Sequence, residues 1–382
     1  MRRSRRRFPL ELRVRGVDLR LVPALLVLCA APGCGDQDVA LPSLPRVPEL
    51  AEGWTEFLPG GDTICSRGTE YAYYVRPGTV NRVVIDFIGG GACWDELTCS
   101  LGDAIFQPDV EQVRAAMKEK IPGIYDLEQP ENPFRDWFHV VIPYCTGDVH
   151  WGDSVTTYGE GESEVTINHK GAVNTRTVLD WVYDNFSAPE HIFVTGCSAG
   201  AYGAAMWAPH VMEHYPNTKV TQWGDSGAGV ITKKFFEDSF PSWNAEQAFP
   251  NWIPELDPSR VDLQTTELAD LYAGVANHYP QHRVSQYNTA FDENQTFYFT
   301  AMGGSGKEEW SEKMYASIGE IEERTDNFAA FIAPGEQHCI LLYENFYTVN
   351  ADGLRLVDWL SGMIDRGPVQ SAKCTDCSGE TP

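Results

Sequence analysis

His191-Ile-Phe-Val-Thr-Gly-Cys-Ser-Ala-Gly200, running on into Ala201–His214, is the stretch that decides the fold. A short β-favouring run ends at Gly196-Cys-Ser-Ala-Gly200, and a helix-compatible segment follows. This is a G-x-S-x-G sequence in the strand–turn–helix setting that gives the pattern its meaning. The turn at its centre is sharp, so Gly196 and Gly200 must be small to clear the neighbouring strand and helix. Ser198 then stands exposed at the N-terminus of a helix, where the helix dipole favours negative charge. An ordinary glycine-rich turn reads the same way in isolation, so the surrounding chain has to decide.

Working outward, further apolar runs end in glycine-rich or polar loops. Arg82–Ile88 stops at Gly89-Gly90-Gly91, Phe138–Ile142 at Pro143, Lys219–Trp223 at Gly224, and Phe328–Ile332 before Pro334. Between the second of these and the 191 run, Gly171–Phe186 spaces its apolar residues as a helix does. Alternating apolar strands and helices predict an α/β fold, a mostly parallel sheet covered by helices on both faces. Chemistry in such sheets sits at the carboxyl ends of the strands.

Gly89-Gly90-Gly91-Ala92 follows an earlier strand. A developing oxyanion needs backbone N–H groups that side chains do not obstruct, so Gly90, Gly91 and the residue after the nucleophile, Ala199, are the expected oxyanion hole. The base should come last in chain order. His338 follows the strand at 328–332 and is the expected partner of Ser198, because His278 and His282 lack a strand signal before them. For the acid, Asp225 and Asp292 both fit, and spacing barely separates them. His210 and His214 lie four apart on the helix after the turn; with no carboxylate motif attached, solvent exposure is expected in place of a metal pair. The aromatic-rich segment at about 235–282 separates a strand from the acid region and is read as a cap-like insertion whose rings partly line a cleft.

The first 20 residues hold eight arginines against Glu11 and Asp18, and removing that +6 from the formal −25 leaves −31 for the rest. So acidic a body has no electrostatic footprint for nucleic acid, and an acidic polysaccharide would need local basic contacts. The arginines lead into the apolar run Leu21–Ala31, too short to span a bilayer and suited to a signal peptide over residues 1–33. Cys34 resembles a lipoprotein attachment site, although Ala31 and Pro32 depart from the usual pattern; simple cleavage and secretion is the alternative. Export to the cell surface or periplasm follows on either path. Residues 34–53 form a Pro-rich tether, 54–366 the catalytic domain, and 367–382 a polar, Cys-containing tail. Eight cysteines remain beyond Cys34, an even number that points to disulfides, with Cys93/Cys99 and Cys374/Cys377 placed as local staples.

Several segments together resemble the pectin acetylesterases and their Notum carboxylesterase relatives. They are Gly89-Gly-Gly-Ala-Cys-Trp94, Pro143-Tyr-Cys-Thr-Gly-Asp-Val149, Gly196-Cys-Ser-Ala-Gly-Ala-Tyr-Gly203, Gly224-Asp-Ser-Gly227 and Phe291-Asp-Glu-Asn-Gln295, in the family's order. The resemblance implies an α/β-hydrolase fold, no cofactor or metal, and Asp292 as the acid. It implies removal of acyl groups from oxygen: acetyl from pectin in plant-like members, a fatty acyl group from a protein serine in Notum-like ones. Ile88 replaces a frequent glutamate, Gly91-Ala92 a bulky aromatic of Notum-like members, and Ala201 a frequent glycine. The first two flank the acyl site. Deacetylation of a pectin-like polysaccharide through an acyl-enzyme is therefore expected. A lipase-like or protein deacylase with a longer acyl pocket is the rival, as is a catalytically silent carbohydrate-binding protein.

Overall fold

A computed structural model describes residues 50–379 apart from 366, 368 and 369; the expected signal peptide, Cys34 and the tether up to residue 49 lie outside the described residues. Thirteen strands and nine α-helices occur among the described residues. In chain order the elements run β1 (Thr55–Phe57), β2 (Tyr73–Arg76), β3 (Arg82–Phe87), α1 (Glu96–Ser100), α2 (Glu111–Ala116) and β4 (Phe138–Ile142). A hairpin follows, β5 (Ser154–Tyr158) and β6 (Val165–His169), then α3 (Gly171–Asn185), β7 (His191–Cys197), α4 (Ala199–His214) and β8 (Lys219–Asp225). Next come α5 (Lys233–Trp243), α6 (Leu268–His278), β9 (Arg283–Thr289), α7 (Glu293–Ala301), α8 (Lys307–Arg324) and β10 (Phe328–Ala333). The chain closes with β11 (Asn350–Ala351), β12 (Leu354–Arg355), α9 (Leu356–Ile364) and β13 (Ala372–Lys373).

One sheet of nine strands organises the molecule, in the order β1-β2-β4-β3-β7-β8-β9-β10-β13. From β4 to β13 every pairing is parallel, while β1–β2 and β2–β4 are antiparallel. Parallel strands are buried on both faces and read as continuous apolar runs. Val83–Ile85, Val140–Ile142 and Ile192–Val194 are such runs, each fully excluded from solvent. β9 breaks that pattern and, among the six strands from β4 to β10 in the sheet order, is the one that no apolar run announces. Ser285, Gln286 and Asn288 are buried in it. A buried polar group is costly unless hydrogen-bonded. Ser285 Oγ donates to the Gln222 carbonyl at 2.8 Å and its N–H to Gln222 Oε1 at 3.2 Å, so the neighbouring strand satisfies it.

Two further features are structural. Within the polar, Cys-containing tail, β13 adds to the sheet edge beside β10, and Cys374 N–H donates to the Ile332 carbonyl at 3.0 Å. The insertion at 235–282 divides into parts. α6 belongs to the helical layer and packs on α4 and α8, whereas α5 packs on the β5–β6 hairpin. Phe235 and Trp243 of α5 reach the cleft. Tyr272 packs edge-on against Phe328, and Trp252 Nε1 donates to Tyr279 Oη at 2.7 Å, so those rings belong to the body.

Candidate active site

Ser198 lies between β7 and α4 with φ 58° and ψ −124°, a backbone conformation that costs energy for any residue with a Cβ. Two features hold it there. Its N–H donates to the Asp225 carbonyl of β8 at 2.8 Å. The flanking glycines let strand and helix touch, since a Cβ on Gly200 would sit 1.8 Å from the Phe87 carbonyl oxygen, and one on Gly196 2.4 Å from the Gly200 oxygen. Ala199 is the first residue of α4, so its N–H has no acceptor within the helix and is free for an anion.

The glycine loop after β3 approaches this turn closely. A Cβ on Gly89 would lie 2.8 Å from Ser198 Cβ. Gly91 has φ +74°, and a Cβ there would meet the Ile105 carbonyl at 2.0 Å. Gly90 and Gly91 line the same trough as Ser198, and Gly91 and Ala199 line the apolar pocket on its other side. The three expected oxyanion donors are thus gathered around one serine.

Support for this loop comes from residues to which the sequence reading gave no role. His150 Nε2 is 3.0 Å from the Ile88 carbonyl oxygen, just before the glycines. Burial lowers the His150 pKa to about 4, so the ring is neutral and its Nε2–H donates. Asp148, pushed up to about 6 by burial, accepts from Thr146 Oγ1 at 2.6 Å, Gly171 N–H at 2.8 Å and His150 N–H at 3.1 Å. The matching Pro143–Val149 segment was the available signal, without an indication of what it does.

His338 follows β10, as expected, and Asp292 follows β9. His338 Nδ1 is 2.9 Å from Asp292 Oδ2 and 3.0 Å from Oδ1. Asp292 is fully buried and also caps α7, accepting from the N–H groups of Asn294 at 3.0 Å and Gln295 at 2.8 Å. Gln295 Nε2 donates to its Oδ2 at 3.1 Å. With Nδ1–H committed to the carboxylate, Nε2 is the acceptor nitrogen. His338 Nε2 is buried with no hydrogen-bond partner among the described residues, and the ring shares its pocket with Ser198.

The alternative acid, Asp225, does something else. Its Oδ2 accepts the N–H groups of Ile340 at 2.8 Å and Leu341 at 3.0 Å, and Ser226 Oγ accepts Cys339 N–H at 2.9 Å. Burial, partly offset by these bonds, raises the Asp225 pKa to about 6. Asp225 therefore anchors the loop that carries His338. A disulfide reinforces it: Cys197, before the serine, is bonded to Cys339, after the histidine. Cys65–Cys145 is a second long-range bridge, and the two local staples are formed. The cysteines that cluster with His169 or His338 are all disulfide-bonded.

His210 corrects the expectation of exposure. It is half-buried, with Nε2 2.9 Å from the Ala248 carbonyl oxygen and the ring against Trp252, and burial lowers its pKa to about 4. His214 is exposed and stacks on Tyr183. Solvent-averse packing on the insertion, which periodicity does not encode, separates the two.

A parallel sheet with a strained serine after one strand and a histidine–carboxylate pair after two later ones defines the α/β-hydrolase fold. Residues 60–313 match the family model described as pectinacetylesterase, and the chain belongs to that family. Pectin acetylesterase 11 of Arabidopsis thaliana is 26% identical over 183 residues, 46% of this chain and 45% of that protein. Palmitoleoyl-protein carboxylesterase notum2 of Xenopus laevis is 28% identical over 152 residues, 38% of this chain and 30% of that protein. The chain thus spans under half the length of these two relatives. The Wnt deacylase Notum from Drosophila, crystal form I, superposes with a TM-score of 0.59 at 17% identity over 84% of this chain and 96% of that one, a likeness of fold.

Proposed function

We propose that the chain is an exported serine carboxylic ester hydrolase that removes O-acetyl groups from polysaccharide through an acyl-enzyme. The observation that carries this reading is His338, with Nδ1 on Asp292 and an unpartnered Nε2 in the pocket of Ser198. Ser198 Oγ attacks the ester carbonyl and its proton passes to His338 Nε2. The tetrahedral oxyanion is held by N–H groups of Gly90, Gly91 and Ala199, each such donor being worth about 3 kcal/mol in the transition state. Collapse releases the alcohol with that proton, and a water then frees the acid by the same path in reverse. Asp292 keeps the proton on Nδ1 and stabilises the imidazolium. Four disulfides support an oxidising, exported setting. Lipid attachment at Cys34 belongs to the same proposal, with free secretion as its alternative.

The pocket favours a second reading of the acyl group. Trp94, Trp151, Val230, Phe235, Trp243 and Met302 are among its walls. Its volume of about 70 Å³ is several times the roughly 10–15 Å³ that one water-sized group needs. Such walls favour an acyl chain longer than acetyl. Acetate release from acetylated xylan and pectin, wild type against Ser198→Ala, tests the first reading, and a p-nitrophenyl ester series from acetyl upward tests the second. Release that survives Ser198→Ala would refute the mechanism. A rate that rises steeply with chain length would replace acetyl by a longer acyl group. Absence of labelling by a fluorophosphonate would favour the silent binding protein.

A further inference from the structure

Ser198 lies between an apolar pocket and a trough of mixed polar and apolar lining. The apolar pocket takes the acyl group, so the alcohol half of the ester has to lie in the trough on the other side, a space of about 490 Å³. That is within the roughly 300–1,000 Å³ of sites that enclose small ligands. Three side-chain amides, Gln107, Gln112 and Asn294, stand among its polar walls. None of these three side-chain amides hydrogen-bonds to another described residue, so each offers a donor and an acceptor to whatever enters. Tyr343 stands at the same trough with 49% of its surface exposed, an aromatic face open to stacking.

Charge sharpens the picture. Among the described residues, no lysine or arginine lines either the trough or the acyl pocket. Arg114, two residues beyond Gln112, is committed to Glu56 at 2.7 Å and to Glu111. The carboxylate of the trough is Asp86, buried and accepting from Tyr125 Oη. Around this lies a chain of formal charge −25. A polymer of uronic acids would bring a carboxylate on every residue into a space without a cation, under a repulsive field. A neutral sugar chain meets amides and a ring.

Resting on the polysaccharide reading above, we propose that the alcohol half of the substrate is an uncharged, hydroxyl-rich polysaccharide and not a polyuronate. The trough recognises ring hydroxyls through Gln107, Gln112 and Asn294 and a pyranose face through Tyr343. Discrimination against the polyanion is electrostatic, so it weakens as salt shortens the screening length from about 30 Å at 0.01 M to about 10 Å at 0.1 M.

The test measures kcat/KM for acetate release from acetylated xylan and from acetylated polygalacturonate of matched acetyl content, at 0.01 and 0.1 M NaCl. p-Nitrophenyl acetate and Ser198→Ala serve as controls. The xylan is expected to be preferred by about tenfold or more at low salt, with the gap narrowing at the higher salt. Gln112→Lys, normalised to p-nitrophenyl acetate turnover, should raise the polygalacturonate rate by about threefold or more relative to xylan. Equal or faster release from the polyanion at low salt overturns the proposal. No release from either polymer, with p-nitrophenyl acetate still turned over, removes the polysaccharide reading and this inference with it. Loss of the small-ester activity itself, or its survival in Ser198→Ala, removes the serine esterase reading instead.

Discussion

Asparagine at position 292 and asparagine at position 225 should have opposite consequences, although both replace a buried carboxylate near His338. At 292 the side-chain oxygen is held by the Asn294 and Gln295 N–H groups at 3.0 and 2.8 Å, so an asparagine keeps its oxygen there, as a helix cap does. The amide NH2 then faces His338 Nδ1, which must become the acceptor. The proton moves to Nε2, and the ring can no longer take the proton of Ser198. The wrong tautomer costs on the order of 10⁴-fold in kcat, about 5.5 kcal/mol of barrier; the cap survives, and the lost bond from Gln295 Nε2 lowers stability by about 1–3 kcal/mol. At 225 a single oxygen receives both the Ile340 and Leu341 N–H groups, and an asparagine oxygen can still do so. The ionised form there is disfavoured by burial: a rise from 3.8 to about 6 corresponds to roughly 3 kcal/mol. A neutral isostere is free of that cost, so Asp225→Asn should melt no lower than wild type and keep kcat within about tenfold. Asp225→Ala, which orphans both N–H groups, should lose stability and kcat together. Steady-state turnover of p-nitrophenyl acetate and thermal melts of the three variants check this. A larger kcat loss in Asp225→Asn than in Asp292→Asn would refute the assignment and make Asp225 the acid.

Three other outcomes follow from the geometry. Gly200→Ala should fail to fold or lose activity outright, because its Cβ would lie 1.8 Å from the Phe87 oxygen with backbone on both sides; soluble expression and circular dichroism read this out. Replacing both Cys197 and Cys339 by serine opens a link across 142 residues, which in the chain-entropy view removes about 4–5 kcal/mol, and kcat should fall more than KM changes as the His338 loop loosens. Buried carboxyls and buried histidines pull the pH dependence of stability in opposite directions. Burial, the largest cause in each case, raises Asp86 to about 7 and Asp148 and Asp225 to about 6, a contribution that is complete below pH 3.8 and lost as pH rises through 6 to 7. Burial also lowers His150 and His210 to about 4, His169 to about 3 and His139 well below its usual value, a contribution that is complete above pH 6.5 and lost as pH falls. Between pH 5 and 6.5 the four imidazoles outweigh the three carboxyls, so the melting temperature should rise over that interval and then level off or fall toward pH 8; a protein more stable at pH 5 than at pH 6.5 contradicts it.

Sequence alone determined the parts whose signal is local. Gly196-Cys-Ser-Ala-Gly200 needs its glycines because strand and helix meet within a few residues of chain, so the turn and the serine are legible without a partner. The apolar parallel strands are legible for a related reason, since burial on both faces leaves a continuous hydrophobic run. His338 could be read from chain order and the strand before it. Tertiary structure decided what depends on a partner far along the chain. β9 is buried yet polar because Gln222, some 60 residues away, satisfies Ser285, and no periodicity records that. Residues alone left Asp225 and Asp292 open, and the resemblance pointed to 292. Only the fold sets 292 against the ring of His338 and 225 against the backbone after it. The Cys197–Cys339 bridge and the trough without a lysine or arginine belong to the same class, being made of residues that meet only when several strand ends converge. Local sterics are written residue by residue, whereas pairing across a sheet is a property of the closed chain.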